Sequence, residues 1–392
     1  MIIAVDGYEA NVPRRVGIGR YAYEILKHMF EEVKSRKSKV ESEDKINFRI
    51  YLPSEPLSDM PPETPWWQYR VLAPRKLWTI FRLPIALATG RPQADVVFSP
   101  THYVPRFTHV PKVMSIMDVS YLRYPELFGS HDLYQLTHWT AYSVAYAARI
   151  LTISECSKND IINAYGVPLE KVVVTYPGLS MESKVKSEKS KVEEKYKIGK
   201  HYIFSVGTLQ PRKNYVRLIE AFSKALSLLV PQYPDLSLII AGKKGWLYED
   251  ILAAPARFGV ADRVKFLDFV PDEDLAVFYE HALCFALPSL YEGFGLPVLE
   301  AMARKVPVVV SQVSSLPEIA GDAGIYVDPE KTDNIVKGLL TAVRERSLLQ
   351  GRARILAGLL QVKKFTWENA AKRTLEVLEE VGKTRNGYAN TN

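Results

Sequence analysis

Two carboxylates, Glu292 and Glu300, bracket the turn Glu292-Gly-Phe-Gly-Leu-Pro-Val-Leu-Glu300. The turn follows an apolar, strand-like run, Leu283-Cys-Phe-Ala-Leu-Pro288, and opens a helix-like one, Val298-Leu-Glu-Ala-Met-Ala303. Gly293 and Gly295 allow backbone to approach a ligand closely, and the first amides of a helix have no internal acceptor. Pro297 suits a first helical position, where its fixed φ helps and its missing N–H costs nothing. The combination is an anion site at a helix start. Acids on either side would repel a phosphate unless they hold neutral hydroxyls, and sugar hydroxyls meet that need. A Gly-x-Gly turn on its own would serve only the bend; nine residues in this order ask for more.

A second candidate is Gly207-Thr-Leu-Gln-Pro-Arg212-Lys213-Asn214, placed after one apolar run and before a helical pattern. A planar guanidinium fork beside a compact ammonium, at the carboxyl end of a strand, can neutralise a pyrophosphate. The segment Val16-Gly17-Ile-Gly19-Arg20-Tyr21-Ala22 imitates a dinucleotide fingerprint. That motif should begin at the end of a strand, whereas about ten residues separate Asp6 from Gly17, so a nicotinamide site is excluded. Asp272-Glu-Asp274 has the look of a metal motif, but it opens the helical run Leu275–His281 and reads as a cap that complements the dipole. The seven histidines show no ligand spacing, so no metal is implied.

These groups need rigid elements to hold them. Apolar runs predict strands at Ile2–Val5, Phe48–Leu52, Tyr69–Leu72, Val96–Phe98, Val113–Met117, Ile150–Ile153 and Val172–Thr175. A second set follows at Tyr202–Val206, Leu236–Ala241, Val264–Leu267, Leu283–Leu287, Val306–Val310 and Ile325–Val327. Helical patterns at about 18–34, 76–88, 134–148, 156–165, 215–229, 272–282, 297–304 and 316–320 alternate with them. The fold class expected is α/β, as two Rossmann-like, doubly wound parallel-sheet domains facing a cleft. The boundaries read as 1–180 for the first domain, 181–200 for a charged linker and 201–364 for the second. A terminal helix at 365–381 and a tail at 382–392 follow.

At 392 residues the chain is long enough for two cores. A net charge of +7 fits an anionic substrate or lipid surface, and no basic–aromatic block argues for nucleic acid. Cys156 and Cys284 read as free thiols in a reducing compartment. The chain opens on a strand without a leader pattern, and no apolar run reaches membrane-span length, which predicts a cytoplasmic location. Trp66-Trp67 and the stretch 73–87, with Arg75, Lys76 and Arg82, suit either a membrane interface or a core-facing helix.

The nine-residue signature at 292–300 resembles that of glycosyltransferase family 4, retaining enzymes of the GT-B fold, and the resemblance extends over nearly the whole chain, including Ser314-Ser-Leu-Pro-Glu-Ile-Ala-Gly321. It implies that Glu292 lies near the transferred sugar, that the backbone of Phe294, Gly295 and Leu296 holds sugar and phosphate oxygens, and that Glu300 binds the donor ribose. Arg212 and Lys213 would stabilise the leaving diphosphate. Gly207 and Gly293 would belong to the donor site, Gly17 and Gly19 to a mobile loop over the donor phosphates, and Val270 to a base-binding loop. The last helix would cross back to the first domain.

Two positions depart from the family. Met117 stands where a His precedes Asp118, so a contact to the sugar must be supplied by another residue, with His102 or Tyr103 as candidates. Together with Asp118 these are the acceptor-side candidates. Lys305 stands where the family has Gly. The implied activity is metal- and cofactor-independent transfer of a hexose, leaning to mannose, from a nucleoside-diphosphate sugar (GDP-mannose or a UDP-sugar) to a glycan or lipid-linked glycan in cell-envelope polysaccharide synthesis. Peripheral contact with the inner face of the membrane is left open. The alternatives are a nucleotide-sugar epimerase on the same fold or a non-catalytic nucleotide-sugar-binding relative.

Overall fold

The computed structural model describes residues 1–15, 17–38, 45–73, 76–179, 189–346 and 348–389. Val16, Arg75 and most of the charged run at 181–188 therefore lie outside the described residues. The chain divides into two compact units, the first comprising 1–123, 129–178 and the segment from Phe365 onward, the second comprising 124–128 and 179–364.

The first unit holds seven strands: β1 (Ile2–Asp6), β2 (Asn47–Leu52), β3 (Trp67–Val71), β4 (Val96–Ser99), β5 (Lys112–Ile116), β6 (Arg149–Thr152) and β7 (Val172–Val174). The second holds six: β8 (Tyr202–Val206), β9 (Ser237–Ala241), β10 (Val264–Leu267), β11 (Cys284–Leu287), β12 (Val308–Ser311) and β13 (Gly324–Val327). Their orders are β3-β2-β1-β4-β5-β6-β7 and β10-β9-β8-β11-β12-β13, and the paired strands run parallel. This is the GT-B class of α/β protein. Near-continuous burial explains why the strands read as apolar runs: β9 and β11 are buried at every position. In each sheet the chain winds outward in both directions from one point, between β1 and β4 and between β8 and β11. The carboxyl ends of strands at such a point are where open α/β sheets bind ligands.

Four helical expectations need correction, the first being the tail read at 382–392, through which the terminal helix continues to Ala389. Lys189–Tyr196, assigned to the linker, is a helix, and its Val192 is buried. Glu249–Arg257 is a helix that the sequence reading passed over, because Pro255 sits inside it. The 76–88 pattern begins as a wide π-turn, Trp78–Arg82, before continuing as an α-helix over Leu83–Thr89. Its inner face, Trp78, Leu83 and Leu87, packs with Ala4, Val97 and Val110. Trp67 is fully buried on β3 against Phe30 and Phe48 and belongs to the core, while half-buried Trp66 stacks on Phe30.

Within the first unit the terminal helix Trp367–Ala389 packs on the helix Ile18–Lys37, where His28 stacks on Trp367. Cys156 and Cys284 are free. Among the described residues no helix is long and apolar enough to cross a membrane.

Lys305, the position where the family carries Gly, adopts a left-handed φ of 62°. It closes the helix Leu296–Ala303, with the Val306 amide donating to the Ala301 carbonyl. A non-glycine residue there costs about 1 kcal/mol. Lys305→Gly is thus expected to raise unfolding free energy by up to ~1 kcal/mol in urea titration. A loss of stability would show that the lysine side chain compensates for its backbone.

Candidate active site

The second unit builds its site at the carboxyl ends of β8 and β11. After β8, Gly207 holds a φ of 151°, and a Cβ there would meet Lys213 Cε at 2.9 Å. The Pro211–Lys213 turn ends at Asn214, whose left-handed φ of 61° redirects the chain into the helix Tyr215–Leu229. The Asn214 side-chain amide donates to the carbonyls of Pro288, 2.9 Å, and Pro329, 2.7 Å, fastening the loop to the strand beside it. The Leu290 amide also donates to the Arg212 carbonyl. The two loops are thereby held in register, and their side chains meet.

At the meeting point Lys213 Nζ lies 2.6 Å from Glu292 Oε1, and Arg212 Nη1 lies 3.2 Å from Oε2. Ser289 donates its hydroxyl to Oε1 at 2.6 Å, and Arg212 also donates to the Tyr291 carbonyl. Lys213 and Glu292 are both buried. Burial by itself would raise the Glu292 carboxyl, but the charges of Lys213 and Arg212 and the hydrogen bonds from Lys213 and Ser289 outweigh it and hold the group at about 2. Glu292 thus holds both cations at once.

The turn itself is buttressed from below. Ser314 accepts from the Glu292 amide, and Ser315 donates to the carbonyls of Glu292 and Phe294. This gives the Ser314-Ser315 pair of the sequence its physical meaning. Gly295 takes a φ of 111° at the cap, where a Cβ would meet Leu316 Cδ2 at 2.8 Å. The helix starts at Leu296, one residue before the expected Pro297. Among the described residues, the amides of Gly295 and Leu296 donate to no protein acceptor. Glu300, on the same helix, accepts from the Tyr279 hydroxyl at 2.7 Å. Val270 is buried just before the helix Asp272–His281. Within that helix Asp274 is taken up by Lys195 Nζ, 2.6 Å, and the Tyr196 hydroxyl, 2.8 Å, which assigns it to fixing the Lys189–Tyr196 helix rather than to a metal.

The remaining sequence candidates fall in the first unit. Gly17 caps the helix Ile18–Lys37 with a φ of 50°, and Gly19 lies buried in its first turn. His102, Tyr103 and Met117 line a cavity of about 460 Å³. The Met117 amide donates to His102 Nε2 at 3.3 Å, so the structure brings His102 against the residue that departs from the family. Burial lowers the imidazole's basicity and the nearby Asp118 opposes this, leaving His102 an acceptor at neutral pH. Asp118 receives the Ser120 amide, 2.9 Å.

The same cavity is lined by Asp6, Tyr8, Glu9 and Trp78, none of which the sequence reading singled out. Asp6, at the end of β1, accepts on Oδ1 from the Tyr8 amide, 3.1 Å, and from Trp78 Nε1, 2.9 Å. Burial pushes its carboxyl up to about 7, against the pull of those two donors and with help from Glu9. The rings of Tyr8 and Trp78 meet at 5.5 Å with a 55° tilt. An apolar ring platform beside a hydrogen-bonding carboxyl is suited to a sugar face. The one signal in the sequence was an acid closing the first strand.

Residues 186–355 match the family model described as glycosyl transferases group 1. The O-antigen chain mannosyltransferase B of Escherichia coli is 32% identical over 385 residues, covering 92% of this chain and 94% of that one. Among solved structures, sucrose-phosphate synthase from Thermosynechococcus elongatus superposes with a TM-score of 0.71 at 15% identity, over 97% of this chain and 98% of that one. Anabaena HepE in complex with UDP and glucose gives 0.67 at 18% identity, over 96% and 99%. Likeness at such low identity concerns the fold, whereas a relative sharing about a third of its residues from end to end concerns descent: this chain belongs to the group 1 glycosyl transferases.

Proposed function

We propose that the chain is a retaining mannosyltransferase that takes its sugar from a nucleoside-diphosphate mannose and delivers it to a growing glycan, free or lipid-linked, of the cell envelope. The observation that carries this reading is the cluster of Lys213, Arg212 and Glu292 on the loop that runs into a helix start whose Gly295 and Leu296 amides have no protein acceptor among the described residues. Breaking the anomeric C–O bond leaves a cation-like sugar and a diphosphate carrying the electron pair. Lys213, Arg212 and the Gly295 and Leu296 amides are the groups that receive that charge, a contribution that ranks among the largest in such reactions. The Glu292 carboxylate takes sugar hydroxyls once the diphosphate has drawn the cations to itself. Glu300 accepts from the ribose hydroxyls. No metal is needed, because lysine, arginine and amides already supply the positive field.

On the first unit's side, the Asp6–Tyr8–Trp78 cavity receives the acceptor sugar, and His102 offers the polar contact that Met117 lacks. The reaction takes place in the cytoplasm, against the inner face of the membrane when the acceptor rides on lipid. The mannosyltransferase name of the long relative and the UDP and glucose bound by HepE support the donor class.

The test is release of nucleoside diphosphate from GDP-mannose, UDP-glucose and related donors, with and without envelope glycan acceptors. Release that depends on acceptor supports transfer. Interconversion of the donor sugar without acceptor would favour an epimerase, and tight donor binding with no turnover would favour a binding protein. Glu300→Gln keeps the Tyr279 hydrogen bond but loses the charge facing the ribose. It is expected to raise the donor KM about tenfold while kcat changes little, the signature of a contact made equally in ground and transition states. An unchanged KM would remove Glu300 from the donor site.

A further inference from the structure

The helix that carries Trp78 into the cavity turns a different face outward. Leu77, Phe81 and Ile85 recur every fourth residue and are 58%, 51% and 55% exposed. Leu77 holds a left-handed φ of 56° just before the π-turn that contains Phe81, and Ile85 follows in the α-helix, so the three are exposed positions of one continuous element. A loop adds Phe107, 78% exposed, and is tied to the same element by the Arg106 amide donating to the Thr79 carbonyl at 2.9 Å. Isolated apolar side chains on a surface are ordinary, but four large ones gathered on one helix and its attached loop are not.

The charge of this region is equally uneven. Residues 64–117 contain seven Lys or Arg and one acid, Asp95, so this stretch holds +6 of the chain's +7. Asp95 is engaged, since its Oδ2 accepts from the Ile2 amide at 2.6 Å. Lys76 and Arg82 lie on the segment with the apolar stripe, and Arg106 directly precedes Phe107. Arg106 covers the rings of Trp139 and Tyr142, at 5.4 and 4.6 Å from guanidinium carbon to centroid. An apolar stripe with cations beside it, on a stretch whose one acid is engaged, matches the headgroup and upper acyl layer of an anionic bilayer.

We infer that this face, Leu77, Phe81, Ile85 and Phe107 with Lys76 and Arg82, is a peripheral docking surface for an anionic lipid bilayer. The apolar side chains enter the interface and the cations meet lipid phosphates. Because the opposite face of the same helix presents Trp78 and Thr79 to the cavity, a docked bilayer lies one helix away from the place proposed above for the acceptor sugar. Docking itself does not depend on that assignment.

The experiment is co-sedimentation with vesicles of equal parts phosphatidylcholine and phosphatidylglycerol, against vesicles of phosphatidylcholine alone, at low and high salt. The full chain is expected to pellet with the anionic vesicles only and to be released by salt. Leu77→Ser/Phe81→Ser/Ile85→Ser and, separately, Lys76→Gln/Arg82→Gln are each expected to weaken binding about tenfold or more. Circular dichroism and nucleoside-diphosphate binding, a property of the second unit, should match the parent and so report that both variants fold. Equal sedimentation of the serine variant and the parent would overturn the inference, as would indifference of the parent to anionic lipid. A concentration-dependent dimer abolished by the serine changes would also overturn it, by showing that a second copy covers the stripe. Acceptor-dependent turnover is measured separately, so loss of docking and loss of the transferase reading remain distinct results.

Discussion

Lys213→Ala should lower turnover by roughly 10²–10³-fold, the usual cost of losing one preorganised stabiliser of developing charge. It should also destabilise the second unit, for a reason separate from catalysis. Glu292 is buried, and removing the partner at 2.6 Å leaves its carboxylate with Arg212 at 3.2 Å and the Ser289 hydroxyl. Breaking one side of a buried pair costs about 3–5 kcal/mol, and the surviving partners argue for the lower figure. The two effects can be separated by adding Glu292→Gln. The double variant has no uncompensated buried carboxylate and should recover most of the stability while staying inactive.

Acid adds a further check. The folded carboxyl sits at about 2 against 4.5 in a free chain, so its contribution is present above 4.5 and disappears as pH falls toward 2. That is a change of about 3 kcal/mol at most. Lys213→Ala should flatten this acid limb in urea titrations across the range. If the single variant turns over near the parent rate, the diphosphate role of Lys213 is lost.

Asp6→Asn is expected to have the second largest effect, and of opposite sign. Burial raises the folded carboxyl to about 7 from 3.8, so the folded chain keeps a proton that the unfolded chain has released. Stability from this group is therefore full below 3.8 and declines as pH climbs to about 7, by an upper limit of ~4 kcal/mol. Asparagine has nearly the same shape and retains the acceptor for the Tyr8 amide and Trp78 Nε1. Between pH 5 and 8 the parent should thus lose stability relative to the variant. Glu9 and His102 line the same cavity and titrate in both proteins, so the difference between parent and variant reports Asp6 together with its coupling to Glu9. A constant difference over that interval would mean that the carboxyl is already ionised at pH 5. In activity assays the variant should raise the KM for acceptor and leave that for donor unchanged.

The two segments that carry Arg212, Lys213 and Glu292 were legible because each is local, nine consecutive residues supplying the turn and the cations following a strand within seven, whereas the ion pairs that join them across about eighty residues were not. All thirteen strands were readable too, the central ones because burial on both faces makes them apolar without alternation and β2 and β3 by alternating apolar and polar residues. The glycine position occupied by Lys305 was flagged correctly by its departure, as its backbone has the left-handed φ that glycine would take freely. Asp6 was passed over because its meaning arises from Trp78, seventy-two residues on, and sequence order cannot show that an indole N–H returns to the end of the first strand. The helix Glu249–Arg257 was hidden by Pro255, whose penalty the surrounding packing overrides. The stretch 73–87 stayed ambiguous because its two faces are both apolar, and only exposure tells which one meets water. Trp66-Trp67 was open between the same two readings; Trp67 is core and Trp66 is half-buried.

Glu292 also bears on how a turnover finishes. Its carboxylate engages both Lys213 and Arg212, so on the proposed reading a diphosphate would have to displace a resident rival. On that reading, once the sugar has left for its recipient, Glu292 would reclaim both cations and help evict the spent nucleotide from within. Such a built-in counterion would make bare nucleoside diphosphate a poorer inhibitor than the charges around it suggest, and would keep free orthophosphate from clogging the enzyme.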